Sequence, residues 1–273
     1  MTEQNASAAS QPLLRLDELS VQYKLPGRGV LTAVNGVSFE LETQQVLGLV
    51  GESGCGKSTL ARAVCGLEPI HSGSIRFNGA PIRTLGMRTR PKELLRIQMV
   101  FQNPYASLNP RRTVGSQIAD GLRINPQKDS WSVAGLLDEV ELPSDVQSRF
   151  PHQFSGGQRQ RIAIARAIAS GPQLLIGDEP IASLDASLQA KVASLMRRLA
   201  LESGASMLFI SHDLAVVRTI ADDIAVMNKG EIVEHGPVEQ VWRSPRDPYT
   251  QRLLAAIPAV DGLGTLPGLP DAA

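Results

Sequence analysis

Only two cysteines occur in the 273 residues, Cys55 and Cys65. Their spacing lacks the close pairs from which zinc and thiol–disulfide sites are built, so both are expected to be reduced thiols of a cytosolic protein. Net charge is missing too, because 27 basic side chains are matched by 27 acidic ones. A neutral chain has no overall field to hold nucleic acid or an anionic membrane surface, which argues against a DNA-handling role. No apolar run approaches the roughly 18–20 residues needed to cross a bilayer, so any pore must come from other chains. The start of the chain has no basic segment followed by an apolar core and reads as a loose tail rather than a secretory leader. Internal repeats and coiled-coil heptads are absent as well.

What is present is an ordinary globular composition, 42% hydrophobic and 20% charged, in a length that suits one large domain or a core with an inserted subdomain. Short alternating or apolar runs at residues 13–21, 34–41, 45–50 and 74–77, parted by Gly, Pro and Asn, predict a strand-rich first segment. Between residues 113 and 149, Ile118, Leu122, Leu136, Leu137 and Val140 recur at mixed three- and four-residue spacings, which predicts a helical insert. A helix is expected at 156–169, closed by Ser170, Gly171 and Pro172, followed by a strand at 173–177, a helix at 187–202 and a strand at 206–211. Alternation of this kind makes a parallel sheet. From Ala259 onward Gly and Pro interrupt any period, and a loose tail is expected.

The densest chemistry lies at residues 51–59. The apolar strand at 45–50 runs into Gly51-Glu52-Ser53-Gly54-Cys55-Gly56-Lys57-Ser58-Thr59, and helical sequence follows to Cys65. This is a P-loop in its strand-loop-helix setting. The glycines let backbone N–H groups wrap phosphates, the helix start supplies positive potential, Lys57 neutralises phosphate charge, and the Ser58 hydroxyl can ligate Mg²⁺. Cys55 supplies backbone to the loop and needs no thiol chemistry to do so.

Downstream, the apolar strand at 173–177 ends in Asp178 and Glu179, which places two carboxylates at the sheet edge where nucleotides bind. Asp178 suits the Mg²⁺ shell, and Glu179 can polarise an attacking water as general base. Phe154-Ser155-Gly156-Gly157-Gln158 precedes an amphipathic helix, with Ser155 as N-cap and two residues without side chains exposing the first N–H groups. Alone, this is an ordinary capped helix as readily as a second anion site. The basic run Arg83, Arg88, Arg90, Lys92 and Arg96 is expected to be solvated surface.

The order of these segments is specific. A P-loop, then Gln102 after the apolar residues 97–101, then Ser155-Gly156-Gly157-Gln158, Asp178-Glu179, Asp185 and His212 resembles the motif order of ATP-binding cassette (ABC) proteins over about residues 13–256. That resemblance implies an α/β P-loop NTPase core with a parallel sheet, an N-terminal antiparallel β-subdomain and an inserted α-helical subdomain. It implies a nucleotide-binding domain at 13–258, its helical part at about 103–170, between tails at 1–12 and 259–273. ATP and Mg²⁺ are then the expected cofactors. Tyr23 matches the aromatic that stacks on adenine, Gln102 matches the glutamine that senses Mg²⁺ and the pore subunit, and His212 matches the switch histidine at the γ-phosphate. Residues 155–158 match the signature that binds the ATP held by an opposite subunit. The usual Ser-Ala-Leu-Asp reads Ala182-Ser183-Leu184-Asp185 here, and Asp185 is retained.

Within that family, residues 101–111 and the late Asp247-Pro248-Tyr249-Thr250-Gln251-Arg252-Leu253-Leu254 look like the ATPases of peptide and nickel importers, as does Phe154 opening the signature. No Cys follows Cys65, so the iron–sulfur cluster of some of those relatives is excluded. The expected partners are two permease subunits, a second similar ATPase in preference to a second copy of this chain, and, indirectly, an extracytoplasmic solute-binding protein. The expected location is the cytoplasmic face of the membrane. Peptide is the favoured cargo, ahead of a nickel chelate or another solute. A soluble ABC ATPase acting on DNA or ribosomes would carry a long coiled-coil insertion, zinc cysteines or two cassettes in one chain. A P-loop kinase would leave the signature and His212 idle.

Overall fold

The computed structural model describes residues 11–27, 29–86, 90–103, 107–127 and 131–257. Both expected tails lie largely outside these residues, as do Arg88 of the basic run and residues 104–106 of the segment after Gln102.

Two sheets carry the architecture. Strands β1 (Leu14–Leu25), β2 (Gly29–Leu41), β4 (Ser72–Phe77) and β5 (Ala80–Pro81) form an antiparallel sheet in the order β2-β1-β4-β5. The second sheet has the order β10-β9-β3-β8-β7-β6, from β3 (Val46–Val50), β6 (Ile97–Phe101), β7 (Leu174–Asp178), β8 (Ser206–Ser211), β9 (Asp223–Asn228) and β10 (Glu231–Pro237). All of its neighbours are parallel except β9 and β10.

The parallel strands read as apolar runs because both faces are covered. Val46 and Val50 enter one core while Leu47 and Leu49 enter the other, and in β8 Met207 and Phe209 alternate with Leu208 and Ile210 in the same way. The antiparallel sheet and α1 (Lys57–Val64) close one face. The other is closed by α4 (Gly156–Ala169), α5 (Ala186–Glu202) and α6 (Leu214–Ile220). Helices α2 (Val114–Ile124) and α3 (Val133–Glu139) pack beside α4, each started by a hydroxyl cap, Thr113 accepting from the Ser116 N–H and Ser132 from the Gly135 N–H. A 3₁₀ turn at Ser144–Ser148 completes the stretch expected to be helical.

The first hairpin is longer than its apolar pattern. β1 and β2 pair outward through Gln22↔Thr32, Tyr23↔Leu31 and Lys24↔Val30, because backbone hydrogen bonds continue the ladder after burial has ended. β9, β10, α6, α7 (Val238–Arg243) and α8 (Pro248–Ala255) add to the elements that periodicity predicted. The basic run is not uniformly solvated: Arg83 and Lys92 are exposed, but Arg90 is half-buried and donates to the Ile97 carbonyl at 3.2 Å.

Candidate functional site

Parallel register aligns the strand ends. Phe101 pairs with Asp178, Asp178 with Ile210, and Val50 with Ser211. Gln102 and Glu179 therefore come level with Ser211 and Val50, and His212 and Gly51 follow one residue further out, so all four strands release their next residues at the same carboxyl edge of the sheet. Tyr23, Leu31, Gly54, Lys57, Ser58, Gln102, Glu179 and His212 all line a cleft of about 480 Å³ over that edge.

The loop from Gly51 to Gly56 is shaped by what surrounds it. A Cβ on Gly51 would come 2.1 Å from the Met227 carbonyl oxygen, and one on Gly56 would come 2.1 Å from that of Ala33. Both are backbone atoms that cannot swing aside, so only glycine fits. The Gly230 N–H donates to the Cys55 carbonyl at 2.9 Å and fastens the middle of the loop to the β9–β10 turn. Gly56, at φ 113, is the N-cap of α1 and offers no side chain to its first N–H groups. The start of α1 thus keeps both its dipole and its donors for an anion.

Lys57 is 4% exposed, and its ammonium donates to the carbonyls of Gly51 at 2.7 Å and Glu52 at 2.9 Å. Its Nζ lies 3.9 Å from Glu179 Oε1. The Ser58 hydroxyl donates to Asp178 Oδ1 at 2.8 Å. Asp178 is buried, and that burial pushes its carboxyl above the ordinary range, with the Glu179 charge adding to the rise. The Ser58 hydrogen bond, Arg62 and Lys57 pull the other way. A buried carboxylate beside a hydroxyl is a hard-oxygen donor pair held ready for a divalent cation, and Mg²⁺ takes one or two such protein oxygens together with phosphates. The donor set fits that ion.

Glu179 adopts φ 51, in the left-handed region that side-chain-bearing residues seldom enter, and its N–H donates to the Ile210 carbonyl at 3.0 Å. This turn brings its Oε2 to 2.6 Å from Nδ1 of His212. The His212 side chain is itself largely exposed at the cleft. Tyr23 is half-buried, and its hydroxyl donates to Thr59 Oγ1 at 3.4 Å, with the ring beside the exposed Leu31 of β2.

Not every expected residue meets here. Ser155, Gly156, Gly157 and Gln158 begin α4 away from this cleft, where the Ser155 hydroxyl accepts from the Gln158 N–H and the Gln158 side chain accepts from the Ser155 N–H. Ser155, Gly156 and Gln158 are exposed. Asp185 is the N-cap of α5, exposed and without a side-chain capping bond. Cys55 and Cys65 are free and buried; burial pushes both thiols up, that of Cys65 to about 11, which suppresses the thiolate. One contact was missed by sequence reasoning: the Tyr249 hydroxyl of α8 accepts from the Glu52 N–H at 3.0 Å. No local signal marks it, since the partners stand 197 positions apart.

Comparison with known proteins bears on this geometry. A family model described as "ABC transporter" matches residues 34–182. The oligopeptide transport ATP-binding protein OppF of Bacillus subtilis (strain 168) is 45% identical over 260 residues, 92% of this chain and 84% of that one. The di/tripeptide transport ATP-binding protein DppF of Pseudomonas aeruginosa (strain UCBPP-PA14) is 46% identical over 238 residues, 86% and 74% of the two chains. Among solved structures, cbiO1 from Clostridium perfringens, part of the ABC transporter complex cbiONQ, superposes with a TM-score of 0.72 at 26% identity, over 85% of this chain and 91% of that one. No helix among the described residues is long and apolar enough to cross a membrane.

Proposed function

The chain belongs to the ABC transporter family of ATP-binding ATPases, and from that premise we propose that it is the motor subunit of a peptide importer, working at the cytoplasmic face of the membrane. The observation that carries the reading is the convergence of Lys57, the Ser58–Asp178 pair and the Glu179–His212 pair at one sheet edge.

ATP enters with its phosphates over α1. The glycine-lined loop and Lys57 take the phosphate charge, and Tyr23 offers its ring to the base. Ser58 and Asp178, with Gln102 nearby, would hold Mg²⁺, which would supply neutralisation of the phosphate charge. Glu179 accepts a proton from water as its oxygen attacks the γ-phosphorus, and the bond to the ADP oxygen breaks, yielding ADP and phosphate. His212, anchored by Glu179, presents its second ring nitrogen to the γ-phosphate. The base and the lysine lie close enough to be set by one bound nucleotide.

The exposed start of α4 and Asp185 form the other half of a divided site, completed when a second cassette closes head to tail over the first. We assign that partner to a similar but non-identical ATPase, with two permease subunits contacting the segment after Gln102 and a solute-binding protein delivering peptide outside. The domain bounds 13–258, with a helical part at about 103–170, belong to this reading. Native mass spectrometry of the complex purified through a tag on this chain tests it. Two permeases and a second ATPase are expected. Two copies of this chain alone would refute the heterodimer, and the absence of any permease would refute the transporter role.

A further inference from the structure

The peptide group joining Gly51 to Glu52 is gripped at both ends. Its carbonyl oxygen, that of Gly51, accepts from Lys57 Nζ at 2.7 Å. Its N–H, that of Glu52, donates to the Tyr249 hydroxyl at 3.0 Å. In a trans peptide the two point in opposite directions, so the plane cannot rotate without losing one grip. Lys57 reaches it from inside the loop, whereas Tyr249 reaches it from α8, far along the chain.

The tyrosine itself is fixed. It is 8% exposed, and its N–H donates to Asp247 Oδ1 at 2.7 Å, which caps α8. The backbone N–H groups of Arg246 and Asp247 donate in turn to the two carboxylate oxygens of Glu234 on β10, at 2.9 and 3.1 Å. Burial pushes the phenol above its ordinary range, so the hydroxyl stays protonated and neutral at physiological pH. The neighbouring Thr250 is fully buried, which leaves α8 little freedom to roll.

We infer that Tyr249 is a positioning residue for nucleotide binding: through the Glu52 N–H it sets the first peptide of the P-loop, and thereby the carbonyl that holds Lys57. This deepens the reading of the P-loop as the ATP site and rests on it. Removing the hydroxyl leaves the Glu52 N–H without its partner, and the loop gains conformations that must be lost again when phosphate binds. The effect belongs to affinity rather than to turnover at saturation, because Tyr249 does not line the cleft.

The test uses the full chain and two variants. Tyr249→Phe removes one oxygen and keeps the ring; Leu253→Ala trims α8 packing and keeps the hydroxyl. Three quantities are measured: the Kd for AMP-PNP with Mg²⁺, the melting temperature of the nucleotide-free chain, and amide exchange over residues 51–56. For Tyr249→Phe, Kd is expected to rise about tenfold and loop exchange to quicken about tenfold, with the melting temperature within about 2 °C of wild type. Leu253→Ala should lower the melting temperature while Kd stays within about twofold. Unchanged loop exchange in Tyr249→Phe, or affinity lost in step with stability in both variants, would overturn the inference. A wild-type chain that binds no AMP-PNP would overturn the nucleotide reading instead, whatever the exchange of residues 51–56 shows.

Discussion

Two helix starts in this molecule are made of similar material and differ in their surroundings. The start of α1 has no side-chain cap and lies in a cleft with a buried lysine, Glu179 and a histidine, its loop crowded by Met227 and Ala33 and hydrogen-bonded to Gly230 and Tyr249. The start of α4 satisfies itself through the Ser155–Gln158 capping box and faces outward. The first helix end is organised by its own chain for an anion. The second is complete as a helix and has room above it. A Cβ on Gly156 would meet no atom within 4 Å, so a side chain there has open space.

The sharpest way to test that contrast is to disable each end in turn. In the assembled complex, Glu179→Gln keeps the shape of the turn but removes the base, and turnover is expected to fall by about 10²–10⁴ with ATP binding retained. Lys57→Ala should instead weaken binding itself, because the charge that meets the phosphates is gone. Turnover assays paired with equilibrium binding separate the two. Wild-type turnover by Glu179→Gln would remove Glu179 from the base role.

A carboxylate at the other end gives the next largest effect. Gly156→Asp adds a negative charge in the first turn of α4, where the helix dipole favours it and space is open, so stability should be unchanged or slightly raised. The same charge would repel a phosphate arriving from a partner. Turnover of the complex is expected to fall about 10²-fold while the isolated chain keeps its nucleotide affinity. If affinity in the isolated chain fell as well, the two ends would not serve different nucleotides.

The smallest effect concerns stability. Burial raises the folded pKa of Asp178 above its unfolded value, so the folded state holds the proton more tightly and stability falls as pH rises through that interval. At neutral pH the ionised carboxylate carries the whole cost. Asp178→Asn, whose side-chain oxygen can still accept from Ser58, should therefore raise the melting temperature of the nucleotide-free chain at pH 7 and lose that advantage in acid. A melting temperature lowered at pH 7 would show that Ser58, Arg62 and Lys57 together outweigh the cost of burying the charge.

Legibility followed sequence distance. The helix at 156–169 and the strand at 206–211 match their expected bounds, because apolar period, caps and breakers all lie within the segment. The hairpin was read short, since the polar residues Gln22 and Lys24 carry no burial signal although their backbone continues the ladder. In the basic run, the fold of Arg90 onto Ile97 depends on where β6 ends up, which local charge does not encode. Tyr249 was legible only as part of a family-like segment; its bond to Glu52 needs β10 to carry α8 back over the P-loop.

The sequence by itself determined the loop of residues 51–59, the acid pair after an apolar strand and the glycine-started, serine-capped helix, because each is a property of a few contiguous residues and of backbone rules that act locally. Tertiary structure decided which of them meet. Strand order β3-β8-β7-β6 gathers Gly51, His212, Glu179 and Gln102 at one carboxyl edge, and the packing of α1 and β8 beside β7 brings Ser58 to Asp178 and His212 to Glu179. The same packing leaves Ser155–Gln158 outside that cleft. Distances of 2.6–2.8 Å between groups 33 and 120 residues apart arise only when two hydrophobic cores fix the sheet from both faces.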